Sequence, residues 1–143
     1  MRAIKFRAWD NENNQMLDVQ ELNFEDCFYG GEMQIKTTMY NDYFDYREMP
    51  LMQFTGLHDE NGKEIYEGDI VELSEEGRKL YGTSNELAKK YQLVGFKDGA
   101  FMTCRNKYLI DEFDTYLWIM KNFATVVGNI YENKELLNET NRE

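Results

Sequence analysis

The chain has 143 residues, enough for one domain or for two small units, and at this length it needs no disulfide framework to fold. Acids outnumber bases by 27 to 16, for a net charge of −11, yet 15% of the residues are aromatic, which excludes a disordered acidic tail. One proline (Pro50) and two cysteines (Cys27 and Cys104) exclude a proline-rich linker and a secreted disulfide scaffold.

In chain order, the pattern is mostly that of strands. The start, MRAIKFRAWD, is interrupted by Arg2, Lys5, Arg7 and Asp10 and does not read as a signal peptide. Ile4, Phe6 and Ala8 alternate with Lys5, Arg7 and Trp9, the period of a half-buried strand. The asparagine-rich stretch from Asp10 to Gln15 is expected to turn, and Met16–Gln20 to return as a second strand. Gly30 and Gly31 break the chain before a third, Met33 to Met39. Tyr40, Tyr43, Phe44 and Tyr46 lie among acids and are expected to cross the surface with their rings folded back on the core, until Pro50 ends the segment.

From Leu51 the turns become regular. Met52–Gly56, Lys63–Tyr66 and Ile70–Leu73 read as strands, and Asn61-Gly62 reads as a type I′ hairpin turn, which needs positive φ at both central residues. Asp98-Gly99 reads the same way between Leu93–Phe96 and Ala100–Thr103, and Ala124–Tyr131 reads as a closing strand. Gly56, Gly62, Gly68, Gly99 and Gly128 stand where tight turns, bulges or close approach are expected. Thr83 and Glu86 fit a capping box for a helix over Asn85–Tyr91. Residues 108–121 fit helix and strand, with a slight edge to a helical turn, and Glu132–Glu139 fits a short terminal helix. The fold class is therefore mainly β, a small antiparallel barrel with one or two short helices. No run approaches the ~20 apolar residues of a membrane span.

Chemistry is sparse. Asp10, Glu12 and Asn14 imitate the spacing of a calcium loop, but Gln15 stands where that loop needs glycine. His58, Asp59 and Glu60 fall at a wet hairpin tip, which is poor ground for acid–base catalysis. One histidine and two distant cysteines argue against a zinc site, and no nucleotide-binding or hydrolase motif occurs, so no cofactor, metal or catalytic residue is expected. Charge is uneven: Trp9–Glu32 holds seven acids and no base, while Arg78–Lys107 carries a local charge of +5.

Three stretches resemble the YopX family of phage and prophage proteins. They are Lys5-Phe-Arg-Ala-Trp-Asp10 with Met16, then Leu51–Leu57 running through Asp59-x-Asn61-Gly62-Lys-Glu-Ile-Tyr-Glu-Gly-Asp-Ile-Val71, and Val127-Gly-Asn-Ile-Tyr-Glu-Asn133 with Glu135-Leu-Leu137. The resemblance implies an SH3-like barrel over about residues 51–131 beside an N-terminal β segment (1–50). It leaves a variable loop at 74–92, a short C-terminal helical turn to 139 and a frayed tail at 140–143. It also implies a bacterial cytoplasm as the setting, and no established activity.

Two binding surfaces are expected. Tyr40, Tyr43, Phe44, Tyr46 and Met49 form a candidate protein interface, for a partner or for self-association. Arg78, Lys79, Lys89, Lys90, Lys97, Arg105 and Lys107 form a candidate nucleic-acid patch, with Tyr81, Tyr91 and Tyr108 as stacking rings. The acidic balance also permits a mimic of nucleic acid.

Overall fold

The computed structural model describes residues 1–104 and 113–139, without the side chains of residues 26, 28 and 139. Its elements run β1 (Phe6–Asp10), β2 (Gln15–Asn23), a 3-10 turn (Glu25–Tyr29), β3 (Gln34–Thr37), β4 (Tyr43–Asp45), β5 (Leu51–His58), β6 (Glu64–Tyr66) and β7 (Asp69–Leu73). Then come α1 (Glu75–Leu80), β8 (Tyr91–Leu93), β9 (Gly95–Lys97), β10 (Ala100–Thr103), β11 (Thr115–Tyr116), α2 (Leu117–Met120), a 3-10 turn (Lys121–Phe123), β12 (Ala124–Asn129) and α3 (Glu135–Glu139). Every strand pair with a defined register is antiparallel. The chain divides inside β5 into two compact units, Met1–Phe54 and Thr55–Glu143.

In the first unit the strand order is β4-β3-β2-β1-β5. Ala8 pairs with Leu17 on one side and with Leu51 on the other. Its core is Ala8, Leu17, Ile35 and Met49, with Val19, Leu22, Met33, Tyr40, Phe44 and Leu51 packed around them. Simple alternation fails at the end of β1: Ala8, Trp9 and Asp10 are buried in succession, so both faces of the strand are covered there. The segment expected to cross the surface contains β4, an edge strand whose Phe44 pairs with Ile35.

In the second unit β12, β7 and β8 form one sheet and β11, β10 and β9 another, while the continuation of β5 neighbours β6. Ile65, Val71, Leu73, Ala88, Val94, Leu117, Met120 and Ala124 form one buried cluster. The two glycine hairpins differ in kind. At Asp98-Gly99 both φ angles are positive (52° and 79°), as a type I′ turn requires. At Asn61-Gly62 only Gly62 is (85°); the Gly62 N–H bonds the Asp59 carbonyl at 3.0 Å and the Asp59 N–H bonds the Lys63 carbonyl at 2.8 Å. A tight turn closed by one left-handed glycine replaces the expected type I′.

The helix expected over Asn85–Tyr91 is not formed, and α1 lies ahead of it within the expected loop. Thr83 Oγ1 does accept from the Asn85 and Glu86 N–H groups, at 3.3 and 3.1 Å, but this closes a local turn that no helix continues. The α1 cap is Ser74, whose Oγ accepts from the Gly77 N–H at 3.2 Å. Of residues 108–121, those at 108–112 lie outside the described set; the rest give β11 and then the single turn of α2. At the C-terminus α3 forms as expected and buries Leu137; the tail at 140–143 lies outside the described residues.

Candidate functional site: an acidic, aromatic cleft in the first unit

The cleft begins with a turn. After β1 the chain must reverse within Asn11–Asn14, and Asn14 takes a left-handed φ of 50°, which asparagine tolerates. Asp10 organises the reversal. Its Oδ1 accepts from the Glu12 and Asn13 N–H groups at 3.0 and 3.3 Å, and its Oδ2 accepts from Asn13 Nδ2 (3.0 Å), Gln15 Nε2 (3.3 Å) and the Tyr40 hydroxyl (2.7 Å). These donors, led by Asn13 and Tyr40, hold the Asp10 carboxyl well below the usual carboxylate range. The Tyr40 phenol, donating to that carboxylate, is held protonated above its usual range. Asn13 Nδ2 also donates to the Tyr40 hydroxyl at 2.7 Å, which closes a ring of three side chains.

Over this floor stand Tyr40 and Phe44, edge to face with ring centroids 5.5 Å apart. With Asp10, Asn11, Glu12, Asn13, Glu48 and Met49 they line a cleft of about 440 Å³. The lining carries three acids and no base. Next to Phe44 in β4 but on the other face of the strand, Tyr43 lies in a cross-strand ladder: its hydroxyl donates to Glu21 at 3.1 Å, which raises its pKa, and Lys36 stands 3.7 Å from Glu21 and 6.0 Å from the Tyr43 ring centre.

Of the expected protein interface, Tyr43 and Tyr46 are exposed, Tyr40 and Phe44 are half-buried on the core, and Met49 is buried at 4% exposure. All five lie in the first unit, and Tyr40, Phe44 and Met49 share the cleft. Sequence reasoning misses the contribution of Asp10, Asn13 and Glu48; an aspartate directly before an asparagine-rich turn is the signal that points to the first two.

The basic residues are placed differently from one another. Arg78 Nε donates to the Ala88 carbonyl at 2.9 Å, Lys79 pairs with Glu75 along α1 at 3.1 Å, and Lys90 lies 3.6 Å from Glu72 and over the Tyr91 ring. Lys89 is buried at 2% exposure, Lys97 is exposed, and Arg105 and Lys107 lie outside the described residues. Tyr81 is also engaged, donating its hydroxyl to the Ile119 carbonyl at 3.0 Å, and Tyr108 is outside the described residues.

The other polar candidates serve turns. Asp59 is buried, and its carboxylate accepts from the Asn61, Lys63 and Val126 N–H groups at 2.9 Å each. Burial opposes its ionisation, but these three bonds prevail and hold its pKa below the usual range. His58 and Glu60 are exposed. Cys104 is buried and Cys27 is exposed. Among the described residues no group of three or more His, Cys, Asp or Glu side chains is placed to hold a metal ion, and no helix is long and apolar enough to cross a membrane.

Fold and site thus define a mainly β protein with antiparallel sheets, few short helices and a small acidic cleft. The sequence pattern of the YopX protein family matches residues 5–138, and the chain belongs to that family. Among solved structures, it is similar to the crystal structure of protein EF1440 from Enterococcus faecalis, with 27% identity and a TM-score of 0.58 over 96% of this chain and 99% of that one. No curated protein matches the chain.

Proposed function

We propose that this is a non-catalytic accessory protein, phage- or prophage-encoded and working in a bacterial cytoplasm, that binds a protein partner through the aromatic edge of its first unit. The setting is the one the family resemblance implies. The observation that carries the binding reading is the exposure of Tyr43 on the edge strand β4 and of Tyr46 just after it, in the same segment that supplies Tyr40, Phe44 and Met49 to a concave cleft. Aromatic and methionine side chains next to a preformed cavity are the material of interface anchors. The second unit, with its short antiparallel strands and tight glycine turns, is read as a small SH3-like barrel that serves as scaffold.

Nucleic-acid binding through residues 78–107 ranks below this, because phosphate affinity grows with the number of free cations, and Lys89 is buried while Lys79 and Lys90 face Glu75 and Glu72. A mimic of nucleic acid ranks lower still.

The test is affinity capture with the full chain during phage induction, comparing it with the double variant Tyr43→Ser, Tyr46→Ser, and reading protein and nucleic acid together by mass spectrometry. Both tyrosines are exposed, so the variant is expected to fold. A specific protein that the variant fails to capture is the expected result. Undiminished capture by the variant, or a monomer by light scattering with no specific protein retained, overturns the reading.

A further inference from the structure

We propose that the cleft of the first unit is the receptor for one arginine side chain presented by the partner protein. The inference rests on the reading of this unit as a partner-binding face and names the chemistry that the face accepts.

Size, shape and charge converge on such an occupant. The cavity, about 440 Å³, is at the small end of ligand sites, suited to a side chain rather than to a folded element. Two rings, Tyr40 and Phe44, wall it, and a guanidinium is planar, weakly hydrated and stacks on aromatic faces better than an ammonium does. The three acids of the lining divide their labour. Asp10 is satisfied by its five donors and so is fixed in place; it contributes charge and a rigid floor but has little capacity left for a ligand. Glu12 and Glu48, on opposite sides in sequence and both exposed, make no side-chain hydrogen bond or ion pair among the described residues. They are the carboxylates free to meet an incoming cation.

The nearest base in sequence does not occupy the site. Arg47 is held by Asp45, with Nε and NH2 at 3.0 and 2.8 Å from its two oxygens, and it lies 3.8 Å from Glu32. The cleft therefore keeps its negative potential, in a chain that is already at −11, and that potential steers a basic partner towards it. Because the Asp10, Asn13 and Tyr40 ring is formed in the free protein, little ordering is left to be done on binding.

The test uses the full chain, labelled with nitrogen-15, titrated with N-acetyl-arginine amide at low salt, with N-acetyl-citrulline amide as the uncharged isostere and N-acetyl-lysine amide as the comparison cation. Expected are saturable amide shifts confined to Asn11–Asn13, Tyr40, Phe44 and Glu48, weaker binding of the lysine probe, and no saturation with citrulline. Glu12→Gln with Glu48→Gln is expected to weaken arginine binding about fivefold, the upper end for losing one exposed ion pair. Glu75→Gln with Glu76→Gln removes the same charge from α1 and is expected to change nothing. Shifts spread over the acidic surface, equal weakening by the α1 variant, or no saturable shift overturn the inference.

The two readings fail separately. Capture that depends on Tyr43 and Tyr46 without arginine binding in the cleft overturns only this inference. Arginine binding in the cleft with capture indifferent to the two tyrosines overturns only the aromatic edge as the interface and leaves the receptor standing.

Discussion

Asp10, Asp59, Asp69 and Asn129 are buried polar residues that act alike, since each satisfies backbone N–H groups where the chain reverses. Asp69 accepts from the Tyr66 N–H at 2.8 Å, and Asn129 accepts from those of Tyr131 and Glu132 at 2.9 and 3.0 Å. All four lie within the stretches that carry the family resemblance, so much of that resemblance is turn chemistry. Replacing the buried Asp59 with alanine removes the acceptor of three part-buried backbone donors and is expected to lower stability by about 2 kcal/mol, measured as a drop in the urea midpoint. The pH dependence has a definite sign. Asp10 and Asp59 are both depressed in the folded protein, so their stabilisation is complete above the unfolded carboxylate pKa, near 3.9. It is lost as pH falls from there through their lower folded values. Urea titrations between neutral pH and acid are expected to show this loss, and Asp59→Ala to show less of it.

At the scale of elements, capping and sterics decide more than propensity does. The six residues of α1 are too few to form a helix alone; the Ser74 cap, the acids Glu75 and Glu76 in the first turn and the packing of Gly77 under Phe123 hold them. Ser74→Ala is expected to cost about 1 kcal/mol by thermal unfolding. A Cβ on Gly77 would stand 2.6 Å from Phe123 Cβ, so Gly77→Ala is expected to destabilise even though alanine is the better helix former. Gly128, in the last family-like stretch, has no left-handed φ; a side chain there would collide with Asn133, whose Oδ1 accepts from the Asn129 N–H at 3.2 Å. Its requirement is space and not backbone freedom.

For the whole molecule, the two cores differ in size. Among the described residues, the buried cluster of the first unit is four residues and that of the second eight. Opening free energy follows buried apolar contact, so amides of β2 and β3 are expected to exchange with solvent faster than those of β7 and β12. Ile35→Ala is expected to cost about 2–5 kcal/mol and to accelerate exchange chiefly in the first unit, read by hydrogen-exchange mass spectrometry. Equal protection in both units would show that core size does not set their local stability. Tyr40 and Phe44 belong both to the packing around this smaller core and to the lining of the cleft.

The sequence by itself determined the family, the mainly β character and most turn positions, because period-two alternation, glycines and Asx residues act over a few neighbours and are legible locally. Asp98-Gly99 turned as read for that reason, and the last helix formed where its leucines indicated. Only the tertiary structure decided the rest. Thr83 made its local turn without a helix, α1 formed where Ser74 and Phe123 could cap and cover it, and Asn61 kept a negative φ because the Asp59 carboxylate already held the turn. The cleft belongs to the same class: Asp10 and Tyr40 are thirty positions apart, and only β-sheet pairing brings hydroxyl and carboxylate to 2.7 Å. Contacts between residues far apart in the chain depend on which strands pair and in what register, and no local pattern specifies that.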